Sequence, residues 1–217
     1  MYILPIPKPI QPTNVYAGCI AEYENIWPDS QSLIEQIELE VNSNPSVEFE
    51  KATIVHYRET NGPQTELAKA RTNSQLSVDG IGRDGKSDFF RELSNRFFLT
   101  TIATSEAYRA KFNISEPVYF VEGFNLLRYQ GGEEFKAHYD GPTASHRSLS
   151  PILYLNDDYT GGELEFVNFD LKIKPKAGSM YIFPSNYPYA HIAHPVQTGT
   201  KYAIVTWLHD TPPLQTN

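Results

Sequence analysis

Residues 135–142, Phe-Lys-Ala-His-Tyr-Asp-Gly-Pro, contain two side chains that bind transition metals, His138 and Asp140. They are two positions apart, and on a β-strand such residues point to the same face of the sheet. One imidazole and one carboxylate therefore converge. Taken alone this spacing is weak evidence, because most His-X-Asp pairs are solvated surface pairs or contain a hydrogen-bonded core histidine. A metal site requires a further ligand.

His191 can supply that ligand. It lies about fifty residues farther along the chain, at the start of another strand pattern. A closed barrel can bring its imidazole to the same interior point as His138 and Asp140. Two histidines and one carboxylate on one side of a metal, with the remaining positions open, form the facial triad of non-haem Fe(II) oxygenases. We therefore expect these three residues to bind iron.

A lysine follows the third histidine by ten residues, in the segment Lys-Tyr-Ala-Ile-Val-Thr-Trp at 201–207. Strand alternation places Lys201 on the same face as Ala203, Val205 and Trp207. An ammonium group that points into an apolar barrel is costly unless an anion meets it, which favours a bound carboxylate as its partner. The alternative is that Lys201 begins the strand at the rim and reaches solvent.

Short strands must position these residues. From Val118 onward the chain consists of β-rich runs separated by Gly, Pro and Asn-Asp turns. The predicted strands are 118–127, 135–138, 149–155, 163–166, 171–173, 179–183, 191–193 and 202–208. Two predicted helices precede them, one from Asp29 or Ser30 to about Val41 and one from Ser87 or Asp88 to near Asn113. This order indicates a sandwich or closed barrel with helices packed outside it.

Between the two predicted helices, residues 57–88 are polar and rich in turn formers. They show only a short possible helix at 66–70. We expect a long mobile loop here, and loops of this length are often functional.

Length, net charge and cysteine count limit the classes of protein to which this chain can belong. The chain has 217 residues, a net charge of −8 and a single cysteine, Cys19. This length favours one domain, and the charge disfavours nucleic-acid and anionic-membrane partners. One cysteine excludes an internal disulfide and a Cys-rich zinc site. The proline-rich N-terminus does not resemble a signal peptide, so a soluble cytoplasmic protein is expected.

Several motifs follow one another in a fixed order. They are Leu-Arg-Tyr-Gln-Gly-Gly-Glu-Glu-Phe-Lys-Ala-His-Tyr-Asp at 127–140, Leu-Tyr-Leu-Asn at 153–156, Gly-Gly-Glu-Leu-Glu-Phe at 161–166, Lys-Pro-Lys-Ala-Gly-Ser at 174–179, His191 with Pro195-Val, and Gly-Thr-Lys at 199–201. This order resembles the catalytic domain of prolyl 4-hydroxylases, which are Fe(II)- and 2-oxoglutarate-dependent dioxygenases. The resemblance extends from about Arg71 to Leu208. It implies a mainly β fold with supporting helices around a double-stranded β-helix, the cupin-like jelly roll. The chain is then a single catalytic domain, 1–217, in which 1–117 support the core and 118–210 carry the active site.

The resemblance also assigns roles to residues. His138, Asp140 and His191 match the iron ligands, and Lys201 matches the residue that pairs with the distal carboxylate of 2-oxoglutarate. Tyr129 and Tyr154 match tyrosines that hydrogen-bond this cosubstrate, and the substrate-binding residues are expected to be Arg147, Tyr139 and Trp207. His194 competes with His191, but only His191 has the family spacing to Lys201. His194 then either contacts a metal ligand or is merely structural.

Three features depart from the family pattern or need an irregular strand. Val205 occupies a position that is often threonine in relatives, which removes one hydrogen bond to the cosubstrate. Arg71-Thr-Asn-Ser only loosely matches an Arg-Thr-Ser element of the substrate-covering loop. Arg147 is an odd number of residues from Tyr154, so its role requires a bulge or a strand that begins after it, and Pro151 is compatible with such an irregularity.

By resemblance, the chain uses Fe(II), O2 and 2-oxoglutarate, with ascorbate as reductant, to hydroxylate prolyl residues in a peptide or protein and to release succinate and CO2. One alternative keeps these cofactors and acts on a free amino acid, another side chain or a small metabolite. Another alternative is a non-catalytic cupin-like binding module. That module would be expected to have lost at least one ligand residue, yet all are present.

Overall fold

The computed structural model describes residues 7–58, 62–66, 70–141 and 146–211. It contains three α-helices, α1 (Ser30–Ser43), α2 (Val78–Arg83) and α3 (Asp88–Lys111), in these residues. The β-strands in the described residues are β1 (Asn14–Tyr16), β2 (Ile20–Tyr23), β3 (Glu50–Lys51), β4 (Ile54–Arg58), β5 (Gly62–Glu66), β6 (Ser74–Ser77), β7 (Phe120–Val121), β8 (Asn125–Tyr129), β9 (Phe135–His138), β10 (Arg147–Tyr154), β11 (Thr160–Gly161), β12 (Leu164–Phe166), β13 (Leu171–Ile173), β14 (Met180–Pro184), β15 (His191–Ala193), β16 (Val196–Thr198), β17 (Lys201–Val205) and β18 (Leu208–His209).

Two antiparallel sheets form the centre of the fold. The major sheet has the order β1-β2-β14-β10-β17-β8-β6-β3, with β18 and β7 attached at β10. The minor sheet has the order β13-β12-β15-β9. Strands distant in sequence alternate within both sheets, which is the arrangement of a jelly roll. The predicted fold class, mainly β with supporting helices around a double-stranded β-helix, is confirmed.

The major sheet separates two apolar layers, because successive strand residues point to opposite faces. One layer joins α1 and α3 to the sheet and includes Leu33, Ile37, Phe90, Phe97, Leu126, Leu153 and Ile204. The other layer lies between the two sheets and includes Leu127, Tyr129, Ile152, Tyr154, Leu164, Phe166 and Ala203. Residues adjacent in sequence, such as Leu126 and Leu127, therefore pack in different layers.

The two helices predicted from apolar periodicity are present. Helix α1 runs two residues beyond the predicted end at Val41. Helix α3 begins after Ser87, whose hydroxyl accepts a hydrogen bond from the Phe90 backbone N–H at 3.2 Å. This N-cap satisfies one of the free donors in the first helical turn. Both helices bury their apolar faces against the major sheet.

The expectation of a continuous loop over 57–88 is wrong where the structure describes this segment. Strand β6 pairs with β8, and α2 follows directly. A Cβ atom on Gly82 would lie 2.7 Å from the Cα of Arg91, so glycine is needed for α2 to approach α3 this closely. Of the possible helix at 66–70, Glu66 ends β5 and Ala70 lies in a turn. Residues 59–61 and 67–69 lie outside the described part of the chain.

Two predicted strands are interrupted. The run 118–127 is divided into β7 and β8, with Gly123 between them, and the run 202–208 is divided into β17 and β18. The remaining predicted strands lie within two residues of the observed bounds. None of the helices within the described ranges is long and apolar enough to cross a membrane.

Candidate active site

A pocket opens between the two sheets, and the predicted triad lies on its wall. His138 and His191 are paired residues on β9 and β15 of the minor sheet. Asp140 follows β9 by two residues. One ligand atom from each of the three residues lies within 4.8 Å of those of the others. Sequence reasoning therefore identified the three side chains that the fold brings together.

The triad has the chemistry of a metal site. The Nε2 atoms of His138 and His191 lie 3.6 and 3.9 Å from the two carboxylate oxygens of Asp140. The Nδ1 atom of His138 lies 2.8 Å from the carbonyl oxygen of Lys136, and that of His191 lies 3.1 Å from the carbonyl oxygen of Tyr189. When Nδ1 donates to a carbonyl, the Nε2 lone pair is free for a metal. The residues therefore fit Fe(II).

Electrostatics favour the protonation states that bind metal. Burial and then the charge of His191 lower the pKa of His138 to about 3. For Asp140, burial opposes ionisation, but His191, His138, the Ser150 hydroxyl and Arg147 together hold the pKa of its carboxyl below its ordinary value. A neutral imidazole and an ionised carboxylate are the forms that coordinate a cation.

Aromatic rings fix the two imidazoles. The ring of His138 stacks on Phe135 with a centroid separation of 3.4 Å and an interplanar angle of 11°. His191 packs between Phe166 and Phe183, with centroid separations of 5.9 and 5.0 Å. These contacts restrict the rotation of both rings, so the ligand atoms keep their direction.

Lys201 lies on the opposite side of the pocket, in the major sheet. Its side chain is buried, with 1% of the residue exposed, so the rim position considered above is wrong. The ammonium donates to the carbonyl oxygen of Gly162 at 2.7 Å, and the rings of Tyr129 and Tyr154 have centroids 5.2 and 5.1 Å from Nζ. Among the described residues no carboxylate forms an ion pair with it. Lys201 is thus a buried donor that faces a cavity.

Burial governs the proton affinities at this end of the pocket. It lowers the pKa of Lys201 to about 7, with the neighbouring charge of Lys174 as the next cause. Burial also raises the pKa of Tyr129 to about 12 and that of Tyr154 well above its ordinary value. Both phenols therefore keep their protons at neutral pH and can donate hydrogen bonds.

Of the three residues predicted to bind substrate, Trp207 lines the pocket, whereas Tyr139 and Arg147 are not among its lining residues. Tyr139 is 44% exposed. The strand register shifts between Arg147 and Leu149, which is the irregularity that the sequence required. Arg147 pairs with Glu122 and stacks on Trp207.

His194 has no place in the triad. Its Nε2 atom lies 2.6 Å from Glu165, which also pairs with Lys172. The competition with His191 is therefore settled by the fold, since only His191 faces Asp140.

Sequence reasoning missed Ser150 and Glu122. Ser150 is buried, lines the pocket and shares a hydrogen bond of 2.8 Å with Ser185. It precedes Tyr154 by four residues on the same strand, so alternation alone could have placed it on the pocket face. Glu122 gave no such signal, because it lies between two short strands.

Comparisons with known proteins agree with this geometry. Residues 124–209 match the sequence model of the 2OG-Fe(II) oxygenase superfamily. A probable prolyl 4-hydroxylase of Arabidopsis thaliana is 33% identical over an alignment that covers 41% of this chain and 41% of the relative. A second, prolyl 4-hydroxylase 13 of the same plant, is 30% identical over 43% of this chain and 45% of its own length. The chain thus spans less than half the length of these curated relatives.

Solved structures share the fold. A prolyl hydroxylase from Trichoplax adhaerens, in complex with a hypoxia inducible factor peptide fragment, has a TM-score of 0.65 and 18% identity, covering 89% of this chain and 84% of that one. A prolyl-4-hydroxylase from Pseudomonas putida has a TM-score of 0.62 and 16% identity, covering 89% and 93%. At these identities the likeness concerns the architecture.

Proposed function

We propose that this chain, a prolyl 4-hydroxylase-like member of the 2OG-Fe(II) oxygenase superfamily, hydroxylates prolyl residues in a peptide or protein. Its cosubstrates are O2 and 2-oxoglutarate, and its products include succinate and CO2. The observation that carries this proposal is one pocket with the triad His138, Asp140 and His191 on one wall and the buried ammonium of Lys201 on the other.

In this proposal the side chains of His138, Asp140 and His191 would hold Fe(II). Bound there, the iron together with O2 and the keto acid supplies the oxidant that places oxygen on a C–H bond. Lys201 binds the distal carboxylate of 2-oxoglutarate, and the Tyr129 and Tyr154 hydroxyls donate to the same ligand. The apolar residues between these two ends exclude water and orient the keto acid.

A peptide substrate is supported by two aromatic residues and by the relatives. Trp207 lines the pocket, Tyr139 is 44% exposed and lies between the ligands His138 and Asp140 in the chain, and proline-rich segments dock on aromatic surfaces. The curated relatives compared above are named as prolyl 4-hydroxylases, and the T. adhaerens enzyme was solved with a peptide. Arg147 was expected to bind substrate, and each of its three nitrogens already donates one hydrogen bond within the protein.

The direct test incubates the pure protein with Fe(II), ascorbate, 2-oxoglutarate and a library of proline-containing peptides. We expect a product heavier by one oxygen atom, detected by mass spectrometry and located on proline by fragmentation, together with succinate. Asp140→Ala should yield neither product. Absence of a peptide product, together with succinate and a hydroxylated product in a parallel incubation that contains free amino acids or metabolites in place of peptides, would overturn the peptide substrate. Absence of succinate under all conditions would overturn the enzymatic proposal.

A further inference from the structure

Arg147 is held in one orientation by a cluster of contacts that includes two pocket residues, Asp140 and Trp207. Its Nε and Nη2 atoms donate to the two carboxylate oxygens of Glu122 at 2.6 and 2.7 Å. The guanidinium carbon lies 3.7 Å from the centroid of the Trp207 ring. The side chains of Arg147 and Glu122 are only 23% and 21% exposed. A bidentate pair with a stacked face leaves the guanidinium little freedom.

The third nitrogen of this guanidinium reaches a metal-ligand residue. Nη1 of Arg147 donates to the main-chain carbonyl oxygen of Asp140 at 3.0 Å. The next backbone N–H, that of Gly141, donates to the carbonyl oxygen of Ser185 at 2.8 Å. Both polar atoms of the peptide group between Asp140 and Gly141 are therefore bound. Because β9 ends at His138, these contacts hold a residue that lies beyond the strand.

Glu122 is itself anchored to the major sheet. Its Oε1 atom accepts from His209 Nε2 at 2.7 Å, and its carbonyl oxygen accepts from the Thr206 hydroxyl at 2.9 Å. Its backbone N–H donates to the carbonyl oxygen of Trp207 at 2.9 Å. The ion pair therefore connects the segment that carries Asp140 to the end of β17 and to β18.

We propose that the Arg147–Glu122 ion pair positions the Asp140 carboxylate for metal binding, an inference that rests on the proposed metal site. The direction of a short side chain follows from its backbone, so fixing the Asp140 peptide group fixes the region that its carboxylate can reach. Arg147 is then a positioning residue, acting through Asp140. Contacts that orient metal ligands typically contribute about 10–100-fold to metal affinity.

Positioning of Asp140 by Arg147 and direct binding of substrate by Arg147 predict different effects of substituting Arg147 on metal binding. A residue that only contacts peptide leaves metal binding unchanged when no peptide is present. A residue that positions Asp140 changes metal binding under the same condition. Metal affinity without peptide therefore separates the two roles.

The experiment measures the Kd of Co(II) by calorimetry and by its visible absorption, with no peptide. For Arg147→Ala we expect a Kd raised by about tenfold or more. Arg96→Ala is the matched control, because Arg96 also pairs with a carboxylate through two nitrogens, at Asp29, and lies 4.0 Å from the ring of Trp27. This control loses the same kinds of contact on the helical side of the fold, and its Co(II) affinity should equal that of the parent.

A second, more conservative variant keeps the inference testable if Arg147→Ala does not fold. Arg147→Lys keeps the charge, but a lysine cannot bind both Glu122 oxygens and the Asp140 carbonyl at once. We expect it to remain folded and to raise the Co(II) Kd by at least about threefold, with an altered absorption band. Glu122→Ala should weaken Co(II) binding about as much as Arg147→Ala, and the double variant should add little to either, because the two residues act as one unit.

The outcomes distinguish the inference from the proposed function. Parent-like Co(II) affinity and absorption in both Arg147 variants would overturn the positioning role and leave the enzymatic proposal intact. If Arg147→Ala does not fold, Arg147→Lys decides alone. Failure of the parent protein to bind Co(II), or unchanged binding in Asp140→Ala, would instead overturn the metal site itself.

Discussion

At the scale of single residues, the buried ammonium of Lys201 is held at a cost to the free energy of folding. It loses its hydration, and a backbone carbonyl is its hydrogen-bond acceptor in the described structure. A neutral acceptor compensates an ammonium group poorly, whereas a carboxylate compensates it well. The pocket therefore favours binding of an anion.

The first prediction concerns this lysine. In Lys201→Ala the distal carboxylate of 2-oxoglutarate loses its buried partner, a change worth about 3–5 kcal/mol. Since about 1.4 kcal/mol is a tenfold change, the Kd of 2-oxoglutarate should rise by two or more orders of magnitude. Calorimetry in the presence of Mn(II) measures this constant.

A nearby lysine provides the control for that measurement. Lys174 donates to the carbonyl oxygens of Tyr159 and Gly161, each at 2.8 Å, and does not line the pocket. Lys174→Ala should change the 2-oxoglutarate Kd far less than Lys201→Ala, and neither variant should change the Mn(II) Kd. Equal effects of the two substitutions would show that Lys201 acts only through net charge.

The second prediction concerns pH. Because the pKa of Lys201 is about 7 without ligand, its ammonium is present below that pH and lost above it. The affinity for 2-oxoglutarate should therefore fall as pH rises above 7, by up to about tenfold per unit, and binding there should take up a proton. Calorimetry between pH 6 and 9, in buffers of different ionisation enthalpy, measures both quantities. Lys201→Arg should flatten the dependence, since arginine stays charged.

The lowered pKa of Lys201 also makes the free energy of unfolding depend on pH. It lies below the ordinary lysine value of 10.5, so between these two values the unfolded chain binds more protons than the folded protein. The contribution of Lys201 to the free energy of unfolding should therefore increase with pH across this range. A contribution that decreases with pH would contradict a buried, unpaired ammonium.

The sequence was sufficient to predict the three residues that the fold brings together as a candidate metal site. His138 and Asp140 follow from strand alternation, and the resemblance distinguished His191 from His194. The partners of Arg147 could not be predicted from the sequence, because Glu122 and the Asp140 carbonyl come into contact with Arg147 only when three separate segments of the chain fold together. A strand pattern indicates the face on which a side chain lies, but not which distant backbone atom it meets.

At the scale of elements, the turn before β14 depends on Gly178. Its φ is +71°, and a Cβ atom there would lie 2.3 Å from the carbonyl oxygen of Trp27. The Gly178 N–H donates to the carbonyl oxygen of Tyr154 at 2.9 Å, and its own carbonyl accepts from Trp27 at 3.2 Å. This turn therefore joins β10 to the segment that precedes α1.

The third prediction follows from that turn. Gly178→Ala should lower the free energy of unfolding by about 2–4 kcal/mol, because the left-handed conformation and the collision both oppose a side chain. Gly85→Ala is the control, since Gly85 has φ +69° but no neighbour within 4 Å among the residues that the structure describes. It should cost only about 1–2 kcal/mol. Urea unfolding measures both, and equal losses would contradict the steric argument.

The same scale shows where element prediction failed. Strand β6 and helix α2 lie in a segment whose glycines and polar residues indicated a loop. The pairing of β6 with β8 and the close approach of α2 to α3 stabilise them through contacts distant in sequence. Helices α1 and α3 were predictable because each carries its own apolar period and, for α3, its own N-cap.

At the scale of the whole molecule, ligands that bind only the folded protein should stabilise it. With Mn(II) and 2-oxoglutarate each at about 100 times Kd, linkage gives about 2.7 kcal/mol per ligand, or about 5.4 kcal/mol for both. For a protein of this size the fourth prediction is a Tm increase of about 10–20 °C. Differential scanning calorimetry measures this shift, and Asp140→Ala should remove the part that depends on the metal. An equal shift in that variant would contradict metal binding at the triad.

The two walls of the pocket belong to different sheets. The proposed metal ligands lie on or directly after strands of the minor sheet, whereas Tyr129, Tyr154 and Lys201 lie on the major sheet. A diacid bound at both ends must span the gap between the sheets, so the packing of the core sets the number of carbons it needs. Substituting a side chain at either end alters the strength of that contact but leaves the gap unchanged. Selectivity for the length of the keto acid is therefore a property of the backbone scaffold.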